Sequence, residues 1–199
     1  MDSPLAALLP ITVLWVAAGV VADGLPRLGR ARALRRRAGH LLILTLVGLT
    51  LTATVLAAGL FSAGNAPADQ AAAALNLAGL PALVVAVCTV RRVRRLRAGA
   101  GAFAAAPETP TPYGLRAAAA HPLIGLPLQV TGVLTVPAVV AANGTDLLAV
   151  PGVTGPAITV GALGILAIGV RHALRHSRLA ERARPDAQRS ARAPGPLHV

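Results

Sequence analysis

The residues best suited to chemistry in this chain are one aspartate and three histidines. Asp23, His40, His121 and His172 each stand at the edge of a long apolar stretch, and all four edges are predicted to lie at the same membrane interface. A carboxylate and three imidazoles on one rim have the donor types of a transition-metal site or a proton relay. Spacing argues against a metal, because no two of the four stand at ligand spacing within one helix. His172 and His176 are four residues apart, but Arg171, Arg175 and Arg178 surround them and would repel a cation. The sequence therefore predicts no metal and no cofactor, and it assigns no catalytic residue.

Other chemistry is equally sparse. There is no phosphate-cradling glycine loop, nucleophile elbow or zinc-protease helix. The single cysteine, Cys88, excludes an intramolecular disulfide and reads as a small apolar side chain. An enzyme acting on a lipid or isoprenoid-like substrate within the membrane would need an interfacial acid, for which Asp23, Asp69 and Asp146 are available. The four aromatics, Trp15, Phe61, Phe103 and Tyr113, are poorly placed to wall a carbocation site.

The elements that must position these residues are membrane helices. Hydrophobic residues make up 55 % of the 199-residue chain and charged residues 13 %, against about a quarter charged in ordinary soluble domains. A chain of this size cannot hide that much apolar surface from water. Five stretches reach the roughly 20 residues needed to span a bilayer: 5–22, 39–62, 71–90, 122–142 and 147–170. None has an ionisable residue in its middle. The expected fold class is all-α, a polytopic five-span bundle over residues 1–170. A basic, partly disordered tail is expected over 171–199, helical to about Arg184 and broken from Pro185 onward.

The arginines orient the bundle. All nineteen basic residues are arginine: six between the first and second spans, six between the third and fourth, and seven after the fifth. The N-terminus and residues 63–70 and 143–146 carry no arginine, and each contains an aspartate (Asp2, Asp69, Asp146). The positive-inside rule then places the N-terminus outside and the C-terminus in the cytoplasm. Arg35, Arg36, Arg37, Arg91, Arg92, Arg94, Arg95 and Arg171 are the expected interface anchors, next to anionic head groups. Without interleaved aromatics the run "RRVRRLR" at 91–97 is no stacking platform, so specific nucleic-acid binding is not expected. Arginine without lysine, in an alanine-rich chain, looks like the coding bias of a GC-rich bacterium, and the expected location is its cell membrane.

Helix pairing in lipid depends on small residues and hydrogen bonds, because lipid gives no hydrophobic reward for association. Thr45, Gly48, Thr52 and Gly59, with Val55, form one seam on the second span. Ala157, Gly161 and Gly164 form another on the fifth. Both are expected to meet partner helices or a second copy of the chain. Asn76 and Gln129 are expected to hydrogen-bond carbonyls freed by Pro81 and Pro127. "LAGLPALVVAV" from Leu77 and "LIGLPLQVTGV" from Leu123 agree at six of eleven positions, a likeness that composition alone can produce. "PETPTP" at 107–112 is expected to be extended and mobile. The functional expectation is a non-catalytic membrane protein, a permease-like unit or an accessory subunit. The alternative is the small lipid-processing enzyme.

Overall fold

The computed structural model describes residues 4–62, 67–106, 108–144 and 154–192, and every regular element among them is helical. Asp2, Asp146, residues 147–153, Pro194 and Pro196 lie outside the described residues. Helix α1 (Pro4–Gly24) ends in a 3-10 turn, Leu25–Arg27. Helix α2 covers Ala31–Phe61. Helix α3 (Pro67–Val84) passes through a single π turn, Val85–Thr89, directly into α4 (Val90–Ala102). A short α5 (Tyr113–Ala119), α6 (Pro122–Ala142) and the long α7 (Thr154–Arg192) follow. Among the described residues, five helical units are long and apolar enough to cross a membrane: Pro4–Arg27, Ala31–Phe61, Pro67–Ala102, Tyr113–Ala142 and Thr154–Pro185.

Helix α6 coincides with the predicted fourth span, whereas other helices overrun theirs at the arginine-rich end. Arginine and alanine are strong helix formers, so apolarity stops at the span edge while the helix continues. The same preference carries α7 through Pro185 to Arg192, beyond the predicted break. A proline removes one backbone donor, and helix-forming neighbours on both sides keep the remaining ladder. The run "RRVRRLR" becomes two amphipathic turns of α4. Val90, Val93, Leu96 and Ala100 recur at helical spacing and are buried, while Arg91, Arg94 and Arg95 face outward.

Helix α1 packs chiefly on α6 and also on α2, while α3 packs on α6 and α2. At the centre is Trp15, fully buried, with its indole N–H donating to Thr52 Oγ1 at 3.1 Å. Thr52 in turn donates to the Gly48 carbonyl at 2.8 Å. A Cβ on Gly48 would lie 3.3 Å from the indole, and one on Gly132 of α6 would lie 3.4 Å from the Trp15 backbone. Gly48 therefore leaves room for the large ring, and Gly132 lets α6 lie against the stretch of α1 backbone that carries it. Thr45 and Thr52 are buried in the same interface, and Gly59 approaches Ala72 of α3 so closely that a Cβ there would overlap it. The α2 seam thus meets helices of its own chain.

Proline 127 explains another contact. It has no N–H, so the Leu123 carbonyl one turn earlier loses its helical donor. Thr89 Oγ1 donates to that carbonyl at 2.7 Å. Thr89 closes the π turn, whose extra residue rotates the chain that follows it. The expected donors act otherwise: Gln129 reaches α1 and α7, and Asn76 is exposed. After their matching prolines the two similar segments diverge, one into the π turn and the other into continuous α-helix.

The connection between α4 and α5 is tied down. The Ala31 N–H, a donor at the start of α2 with no partner inside the helix, donates to the Thr109 carbonyl at 3.0 Å. The Thr111 N–H donates to the Gly29 carbonyl at 2.8 Å, and Arg30 pairs with Glu108 at 3.1 Å. Residues 109–112 of "PETPTP" (Pro107 lies outside the described residues) are not the mobile stretch expected: two backbone hydrogen bonds hold them against the entry to α2. Beyond α6, Gly144 has φ +86°, the left-handed conformation a tight turn uses.

Candidate functional site

The polar groups converge where α1, α6 and α7 meet at the arginine-rich end. Asp23, on the last turn of α1, is the hub. One carboxylate oxygen accepts from Arg171 and from Arg175, the latter at 3.1 Å, and the other accepts from Arg27 at 3.1 Å. Arg175 also donates to the Asp23 backbone carbonyl at 2.9 Å. Asp23 and Arg175 are mostly buried while Arg171 is half exposed. The carboxylate thus ties α7 to α1 through two turns of α7, Arg171 and Arg175 standing four apart on one face.

Above the ion pairs lies a neutral chain of hydrogen bonds. His172, only 4 % exposed, shares a 3.0 Å hydrogen bond between its Nε2 and Gln129 Oε1. An amide oxygen only accepts, so the His172 proton is on Nε2. Gln129 Nε2 donates onward to the Gly19 carbonyl at 3.4 Å. One side chain of α6 therefore links α1 to α7. Space for the imidazole comes from Gly125 of α6, where a Cβ would overlap the His172 ring. No other residue type fits against a ring so placed, since any Cβ would force α6 and α7 apart.

The other two imidazoles of the predicted cluster stand elsewhere. His121 caps α6, its Nδ1 accepting from the Leu123 N–H at 3.1 Å. Its ring lies 5.0 Å from that of His176, whose Nδ1 donates to the Ala117 carbonyl at 3.0 Å. His40 is exposed on α2 and lines a basic recess with Arg32, Arg35, Arg36 and Arg97. Of the four predicted residues, Asp23 and His172 share the α1–α7 junction, His121 joins the neighbouring α5–α7 contact, and His40 belongs to another surface. Among the described residues no three His, Cys, Asp or Glu side chains come close enough to hold a metal ion. Among the described residues, each imidazole except that of His40 commits a nitrogen to the protein itself. The arrangement clamps helices.

Arg36, Arg37 and Arg91 lie exposed on the overrunning ends of α2 and α4, as do Arg35, Arg94 and Arg95, while Arg92 is partly buried. Sequence reasoning did not single out Gly125, Trp15 as a hub, or Thr89. The signal for Thr89 was present in the proline at 127, but its distance in sequence hid the pairing. The chain matches no protein-family model, no curated protein and no solved structure in these comparisons.

The fifth unit has a different character. Only 6 % of the apolar window of α7 is buried, against 22–44 % for the other four units. Its arginine-rich half touches α5 and α6, but Ile158, Val160, Leu163 and Leu166 are exposed, and among the described residues no neighbouring atom comes within 4 Å of a Cβ built on Gly161 or Gly164. An apolar cleft of about 320 Å³ opens between α1, α6 and α7, walled by Val16, Val20, Val133 and Val136.

Proposed function

We propose that the protein is a non-catalytic, multi-pass accessory subunit of a complex in a bacterial cell membrane. Its N-terminus is outside and its arginine-rich end faces the cytoplasm, where nineteen positive charges oppose translocation. The observation that carries the reading is α7, held at one end by Asp23 and Gln129 and left open along its membrane-spanning half. An apolar helix surface alone would suit lipid, but Ala157, Gly161 and Gly164 lie along one edge, and close helix approach in lipid relies on such residues. The occupant is a transmembrane helix of a different membrane protein, with its side chains seated in the cleft beside Val16 and Val133.

The enzyme reading draws less support. The Asp23 oxygens are occupied by three guanidinium groups, and His121 Nδ1 accepts from a backbone amide. Those contacts serve structure and leave no poised acid–base pair at the rim.

A photo-crosslinking residue in place of Ile158, in intact membranes, tests the proposal. The expected result is an adduct with a distinct membrane protein that disappears when Gly164→Leu is added. Adducts with lipid alone, or with a second copy of the chain, would overturn it. Cysteine labelling of residue 98 from the inside only is the expected topology result; labelling from outside would reverse the orientation.

A further inference from the structure

We propose that the groove between α7 and the α1–α5 corner is a binding site for one anionic phospholipid. The groove encloses about 930 Å³ and is lined on one side by α7 and on the other by Pro26 and Arg116. Five arginines line it (Arg116, Arg171, Arg175, Arg178 and Arg182), with no acidic residue in the lining. Along α7, Arg171, Arg175, Arg178 and Arg182 follow one another at intervals of four, three and four, so they stand on a single face. The same stripe continues toward the membrane half as Val170, Ala167, Leu166 and Leu163. At roughly 1.5 Å per residue it is about 28 Å long from Leu163 to Arg182. One end is basic and the other is aliphatic.

Charge bookkeeping at the basic end leaves an excess. Asp23 is shared by Arg27, Arg171 and Arg175, and Glu181, the acidic neighbour of Arg182 on α7, does not line the groove. Glu108 pairs with Arg30, and neither lines the groove. Arg178, Arg182 and Arg116 have no carboxylate partner among the described residues. Arg116 is held in place by stacking over Tyr113, 5.6 Å from the ring centroid, and its buried Nε has no hydrogen-bond partner. Guanidiniums on both walls of one opening favour a phosphate, whose oxygens accept bidentate hydrogen bonds.

The aliphatic half decides the kind of phosphate. A free phosphate or a nucleotide would use only the arginines and leave Leu163, Leu166 and Val170 without a counterpart. A phospholipid uses both ends, its phosphate among Arg116, Arg178 and Arg182 and an acyl chain along the leucines. The inference rests on α7 crossing the bilayer with its arginines at head-group depth, as the proposed function requires. It adds a defined site to the diffuse attraction that basic segments feel toward anionic leaflets.

The test uses the full chain in lipid nanodiscs, titrating phosphatidylglycerol against a phosphatidylcholine background and reading bound lipid by native mass spectrometry. Arg178→Gln with Arg182→Gln is expected to weaken phosphatidylglycerol binding about tenfold or more. Both side chains are exposed, so the fold is retained. Arg91→Gln with Arg94→Gln removes the same charge from α4 and is expected to change binding less than about twofold. Leu166→Asn, which keeps every charge, is expected to weaken the lipid and leave inorganic phosphate binding unchanged. Equal losses in the two double variants would overturn the site in favour of bulk electrostatics, and displacement of the lipid by millimolar inorganic phosphate would also overturn it. A chain that fails to enter phosphatidylcholine discs would break the membrane reading itself. One that enters them but shows no preference for phosphatidylglycerol would break the groove alone.

Discussion

Helices α2 and α7 carry the same kind of small-residue seam and meet opposite fates. On α2, Gly48 and Thr52 receive Trp15, and Gly59 receives Ala72. On α7, Gly161 and Gly164 receive nothing among the described residues. The contrast shows what joins helices in an apolar solvent. Apolarity is common to both, and lipid satisfies it equally well. What differs is a partner with a matching shape and a hydrogen-bond donor to fix it. Trp15 supplies both to α2. Helix α7 is secured where Asp23 of α1, Gln129 of α6 and the Ala117 carbonyl of α5 hold its Arg175, His172 and His176, at the end where polar groups are available.

The comparison can be broken most forcefully at its packed side. Trp15→Ala removes the buried ring that rests on Gly48 and donates to Thr52, and large-to-small changes of this kind cost about 3–5 kcal/mol. Thermal unfolding in detergent is expected to show the greatest loss of stability for this variant. Gly125→Ala comes next, because its Cβ would overlap the His172 ring. Overpacking of this sort costs about 1–3 kcal/mol, and spin-label distances between α6 and α7 are expected to broaden while those between α1 and α2 stay sharp.

Asp23→Asn sharpens the other half of the contrast. It leaves Arg171 and Arg175 near each other without their shared carboxylate. Asp23 and Arg175 are mostly buried while Arg171 is half exposed, so a loss of about 1–2 kcal/mol, between the values for surface and for fully buried pairs, is expected. Protease sensitivity of α7 should rise with little change in the melting of the bundle. Gly161→Leu is the smallest effect: within about 0.5 kcal/mol for the isolated chain, since the position is open. A large destabilisation of the isolated chain by this change would mean that the α7 seam is already occupied within it.

Much of this architecture was legible in the residues. The fourth span was placed at 122–142 and α6 is Pro122–Ala142, because both boundaries are local: His121-Pro122 opens the helix and Asn143-Gly144 closes it. The overrun of α2 and α4 was not legible from hydropathy, which measures where a helix leaves lipid and says nothing of where it stops being a helix. The candidate site was legible in part. Asp23 and His172 lie at one junction, but their partners, Arg175 and Gln129, are 152 and 43 residues away. His40 and His121 sit at comparable span edges and go elsewhere, since sequence gives the height of a residue along its helix without the direction it faces around the bundle.

The sequence by itself determined how many apolar helices the chain has and that its positive charge gathers between alternate pairs of them. Those are properties of runs and lengths, decided by each segment's own transfer energy and helix propensity. Only the tertiary structure decided which small-residue seam closes on a partner, which carbonyl the Thr89 hydroxyl satisfies, and which imidazole rests against Gly125. Those choices depend on side chains distant in sequence meeting within about 4 Å, where van der Waals and hydrogen-bond energies change steeply with distance.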